Sequence, residues 1–69
     1  MNKATAAQAS FAASLASKLD RETVERIAAE AARVNQNAPL NMDGETVVRF
    51  TRRLSKTAAS KFIDGLKNA

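Results

Sequence analysis

Arg49, Arg52, Arg53 and Lys56 put four cations into eight consecutive residues, with Glu45 the only acid close by. Guanidinium and ammonium groups donate charged hydrogen bonds to carboxylates and phosphates, so the chemistry on offer is recognition of an anionic partner, protein or nucleic acid. Offsets of three, four and seven place all four on one side of a helix, where like charges at four-residue spacing cost a few tenths of a kcal/mol per pair. A partner's anions would offset that cost. The bland alternative is a solubilising face, since a basic stripe opposite an apolar one keeps an exposed helix in water. A second charged set, Glu22, Arg26, Glu30 and Arg33, alternates in sign every three or four residues. It reads as a solvated face and a secondary partner surface.

The inventory disfavours catalysis. The chain has no histidine, cysteine, tyrosine or tryptophan, so acid-base and nucleophilic work would fall to Asp, Glu, Lys, Ser and Thr. The seven carboxylates are Asp20, Glu22, Glu25, Glu30, Asp43, Glu45 and Asp64, and most of them sit where a helix cap or an ion pair already uses them. The usual zinc ligands are missing. Asn41-Met42-Asp43-Gly44 matches part of a calcium loop, but that register sets Pro39 and Phe50 where carboxylates are required. The two glycines, Gly44 and Gly65, build no phosphate-binding loop. The expectation is a non-enzyme with no cofactor and no metal.

Three helices must position these residues in one 69-residue domain. The first, over about residues 4–18, sets Ala4, Ala7, Phe11, Leu15 and Leu19 on one face, with residues 1–6 expected to fray. Asp20 then caps a second helix over 21–35, and Leu19 and Val24 are spaced as a hydrophobic staple. The apolar stripe of this helix is Val24, Ile27, Ala28, Ala31 and Val34. Residues 35–42, rich in asparagine and holding the only proline, read as a connecting loop from which Leu40 and Met42 fold back under the helices. Asp43 caps a third helix over 43–64, with Met42 and Val47 as its staple. Gly65 stands just past its end, in the left-handed position that favours glycine, and Leu66 follows as the apolar residue. Residues Phe11, Leu15, Ile27, Val47, Phe50, Leu54 and Phe62 are assigned to the core or to a dimer interface.

The fold class is therefore all-α, a small three-helix unit. A chain this short buries only roughly 60% of the surface its unfolded form exposes, and it has neither cysteines nor histidines to staple it. Oligomerisation is the ordinary remedy, so a homodimer is expected. A net charge of +4 and a pI near 10.1 bias the partner toward acidic surfaces or nucleic acid. No apolar run of membrane-spanning length and no signal-peptide pattern is present. The apolar face of the basic third helix is needed for the core, so no membrane partner is expected and the default location is cytoplasmic.

The segment Thr23-Val24-Glu25-Arg26-Ile27-Ala28-Ala29-Glu30-Ala31, followed by Thr46-Val47-Val48-Arg49-Phe50, resembles repressor helix-turn-helix units in its spacing of alanine and β-branched residues. That resemblance implies a small DNA-binding transcriptional regulator whose Arg49, Arg52, Arg53 and Lys56 mostly contact phosphates. The connection of about ten residues is longer than the motif's three- to four-residue turn and carries no glycine at the turn, which places this reading second. A ribbon-helix-helix reading would make 46–53 a strand before a helix from about Ser55, but Val47-Val48 breaks its alternation. The format as a whole resembles small phage- or plasmid-encoded early proteins that antagonise a host regulator or motor protein. The leading expectation is thus a non-catalytic, dimeric regulatory protein that binds a larger host protein.

Overall fold

The computed structural model describes residues 3–34 and 45–69. Within them the chain is all-helical, with α1 Ala6–Ala16, α2 Arg21–Arg33, α3 Val47–Arg53 and α4 Lys56–Lys67. The expected loop 35–42, with Leu40 and Met42, and the expected Asp43 cap lie outside the described residues.

α1 starts later than expected because Thr5 and Gln8 form a reciprocal capping box. Gln8 N–H donates to Thr5 Oγ1 at 3.0 Å and Thr5 N–H donates to Gln8 Oε1 at 3.0 Å. This satisfies two donors that the first turn leaves without helical partners. The residues just ahead of the helix also pair with the rest of the fold. Ala4 N–H donates to Leu54 O at 2.9 Å, and Lys3 and Ser55 form an antiparallel bridge. α2 starts where the sequence places it: Asp20 Oδ1 accepts from Thr23 N–H at 3.3 Å. Hydrogen bonding from Thr23, side chain first, holds the Asp20 carboxyl below its ordinary pKa of 3.8.

The expected third helix is two helices. Thr46 caps α3, its Oγ1 accepting from Arg49 N–H at 3.1 Å. Seven residues later the chain leaves the helix at Leu54 (φ −80°, ψ 159°), and Ser55 (φ −70°, ψ 165°) caps α4 by accepting from Ala58 N–H at 3.1 Å. Packing explains the break. In one straight helix Phe50 and Phe62, twelve residues apart, would be separated by about 18 Å along the axis. Instead their rings meet edge to face, with centroids 5.2 Å apart and planes at 83°, and Phe50, Leu54 and Phe62 are all fully buried. The extended pair Leu54–Ser55 also supplies the carbonyl that receives Ala4. The break excludes the ribbon reading too, because 47–53 is helical rather than a strand.

The core is alanine-rich. Ala9, Ala12 and Ala16 of α1, Val24, Ile27, Ala28, Ala31 and Ala32 of α2, and Ala58, Ala59, Phe62, Ile63 and Leu66 of α4 are buried, and Leu15, Leu19 and Val47 pack partly buried against the cluster. α4 touches α1, α2 and α3. Phe11 is not part of this core: it is 48% exposed, because α1 turns its alanines inward and the phenylalanine outward. Val34 is likewise exposed at 41%, and Ala32 occupies the buried position in its place.

Gly65 does not end a helix; α4 continues through Lys67. A Cβ at this position would stand 2.6 Å from Ile27 Cγ2, so glycine is what lets α4 approach α2 over the Ile27 branch. Gly65→Ala gains about 1 kcal/mol of helix propensity but overpacks the contact at a cost of about 1–3 kcal/mol. A net loss is expected in urea unfolding. In an Ile27→Leu background, which moves the branch away from Cβ, the same alanine is expected to be neutral or stabilising.

Candidate binding surfaces

The four cations expected on one stripe are divided by the break. Arg49, Arg52 and Arg53 stand on α3, and Lys56 opens α4. Arg53 is committed internally. Its Nε donates to Glu45 Oε2 at 2.8 Å and its Nη2 to Glu45 Oε1 at 3.0 Å, a two-pronged fit that the planar fork of arginine favours. The guanidinium also lies 4.8 Å from the Phe50 ring centroid, and bonding to Glu45 raises the Arg53 pKa above its ordinary value. This pair fastens the segment before α3 to the end of α3 and roofs the aromatic core. Arg49, Arg52 and Lys56 are exposed.

Lys3 joins them, a residue that sequence reasoning did not single out. The bridge to Ser55 sets it beside the start of α4, and because neighbouring residues of an extended strand face opposite ways, burial of Ala4 at 7% exposure turns Lys3 outward. No local sequence signal could have found this, because the contact links residues about fifty positions apart. α4 continues the surface. At about 100° per residue, Lys56, Thr57, Ser60, Lys61, Asp64 and Lys67 fall within one arc of about 140°, and all six are exposed. The first turn of α4 holds no acidic residue.

On α2, Glu22, Arg26, Glu30 and Arg33 are exposed along one side, as their spacing requires. The ion pair formed on this helix is a different one, Arg21 Nε to Glu25 Oε1 at 2.9 Å, with side chains 58% and 43% exposed. At that exposure it adds well under about 1 kcal/mol. α2 packs mainly against α4, and α3 mainly against α1.

α1 carries a surface of the opposite kind. No residue from Ala6 to Ala16 is charged. Helical spacing of about 100° per residue gathers the exposed Ala7, Ser10, Phe11 and Ser14 on one face, with half-buried Leu15 at its edge. Apart from this face, an open groove of about 410 Å³ runs between the end of α1, the start of α2 and the start of α3, and is lined by Ala13, Ala16, Leu19, Val24, Val47 and Val48 among others.

Among the described residues no helix is long and apolar enough to cross a membrane. Comparison of the chain with protein-family models, curated proteins and solved structures returns no match.

Proposed function

We propose that this chain is a small non-catalytic regulatory protein that acts by protein–protein binding in the cytoplasm. It pairs with a second copy of itself and, as a dimer, docks on a larger host protein, in the manner of phage or mobile-element proteins that antagonise a host regulator or motor. The observation that carries this reading is the uncharged face of α1, with Phe11 48% exposed at its centre. An uncharged helix face that exposes an aromatic is a candidate protein contact, since aromatics are enriched among interface anchors.

Charge argues that the occupant of that face is a second copy. The molecule carries a net +4, and α2, α3 and α4 all turn cations outward. Two copies meeting on α1 bring no like charges together. A two-fold contact is self-complementary, so Phe11 of each copy enters the small-residue surface of Ala7, Ser10 and Ser14 on the other. The dimer leaves the mixed-charge side of α2 facing outward, and Glu22, Arg26, Glu30 and Arg33 are its contact for the host protein. The test is capture from nuclease-treated lysate with wild type and with Arg26→Glu/Arg33→Glu in parallel. A protein held in stoichiometric amount by wild type and lost with the variant is expected; retention by both, or by neither, contradicts the reading.

The alternative, a DNA-binding regulator, is favoured by a different observation, the gathering of cations where α3 meets α4.

A further inference from the structure

We propose that the corner between α3 and α4 is a binding surface for the phosphate backbone of duplex DNA, formed by Lys3, Arg52 and Lys56 and extended by Arg49. This proposal rests neither on the dimer nor on the host-protein contact.

Its basis is the way the fold assembles the charge. The break at Leu54–Ser55 and the pairing of Ala4 with Leu54 bring three chain segments together. Each contributes an exposed cation: Lys3 from the segment before α1, Arg52 from the last turn of α3 and Lys56 from the first residue of α4. The nearest acid in the sequence, Glu45, is occupied by Arg53, and the first turn of α4 supplies none. α2 is organised in the opposite sense, with Asp20 and Glu22 at its start. Asp64, two turns further along α4 and beside Lys61 and Glu30, balances the far part of the arc, so the uncompensated positive charge is confined to the corner. Such charge suits a polyanion, whose binding releases condensed counterions. Thr57 and Ser60, exposed on the same arc of α4, add hydroxyls of the kind that bond phosphate oxygens.

The surface also favours a duplex over a single strand. Single-strand binders stack bases on aromatic side chains. Here Phe50 and Phe62 are fully buried and Phe11 lies on α1, so the corner offers charge and hydroxyls without a stacking platform. Contacts of this kind position a protein on DNA without reading its sequence, and the expected binding is non-specific.

Fluorescence anisotropy with a labelled random-sequence duplex tests the proposal, using the full chain and circular dichroism to verify folding of each variant. Micromolar binding is expected at about 50 mM salt, with log K falling linearly against log salt by about 0.9 per phosphate contact. Lys3→Ala is the diagnostic change, because only the fold places Lys3 at this corner. Loss of one contact weakens binding about tenfold at about 50 mM salt and lowers the salt slope by about one. Arg52→Ala behaves likewise, and Lys18→Ala, in the exposed turn between α1 and α2, leaves both quantities near wild type. The proposal is overturned if wild type fails to bind at low salt, or if Lys3→Ala and Arg52→Ala bind as wild type does. Polyglutamate competing as well as unlabelled duplex would also overturn it, by pointing to an acidic protein instead.

Discussion

Replacing Phe62 with alanine is expected to cost about 3–5 kcal/mol, a large share of the stability of a chain this short. Phe62 is fully buried at the centre of α4, and its ring meets Phe50 edge to face at 5.2 Å. Truncation removes the burial energy of the ring and leaves a cavity among small neighbours that cannot close it, because Ala58 and Ala59 already lie close. Natural domains are stable by roughly 0.05–0.15 kcal/mol per residue, which for a chain of this length is roughly 3–10 kcal/mol. One aromatic therefore carries a large share of the total. Urea unfolding followed by circular dichroism measures the loss. Because the two rings touch only if the chain breaks at Leu54–Ser55, a double-mutant cycle with Phe50→Leu and Phe62→Leu also reports the break. A coupling of about 0.5–1.5 kcal/mol is expected, and additive losses would mean that the rings do not meet.

The second large effect is expected on association rather than on folding. Phe11→Asp should leave helicity and monomer stability within about 0.5 kcal/mol of wild type, because the side chain is already half exposed. At the proposed dimer seam the same change would remove an aromatic knob and bury two unpaired carboxylates near the two-fold axis. A central interface aromatic contributes about 2 kcal/mol or more, so self-association should weaken by at least about thirtyfold. Sedimentation velocity over a concentration series reads this directly: wild type shifts toward dimer as concentration rises, and the variant sediments as a monomer throughout.

How far the fold was legible in the sequence follows from where the deciding interactions lie. α2 could be read closely, since its cap, its buried stripe and its charged side all repeat at helical spacing within one short segment. α1 was placed but not oriented. It has no charges to mark its wet side, and alanine and phenylalanine are both apolar; the deciding term is how closely a helix can approach its neighbours, which favours Ala9, Ala12 and Ala16 inside and leaves Phe11 out. The Thr5–Gln8 box is a local signal for where α1 starts.

The break between α3 and α4 was masked because Val47, Phe50, Leu54, Ala58 and Phe62 keep helical spacing straight through it. Only Ser55, a strong cap residue inside an apparent helix, marks the place. What decides in favour of the break is tertiary: the meeting of Phe50 with Phe62, and the docking of residues 3–4 on Leu54–Ser55. The basic surface changed for the same reason. Arg53 is withdrawn by Glu45, eight residues earlier, and Lys3 is added by a bridge across most of the chain. Gly65 was read by its usual role at helix ends, whereas its role here is set by Ile27 on another helix.

The most direct test of the protein-binding account is disulfide trapping across α1. The chain contains no cysteine, so a single introduced thiol can cross-link only to another copy, and only where the Cα atoms approach to about 4.4–6.8 Å. Ser10→Cys and Ser14→Cys sit on the proposed seam, and Ser60→Cys on the outward side of α4 is the control. Under mild oxidation a rapid covalent dimer is expected from at least one α1 variant and little from Ser60→Cys. If neither α1 variant cross-links faster than Ser60→Cys, two copies do not meet on α1, and the proposed dimer does not exist.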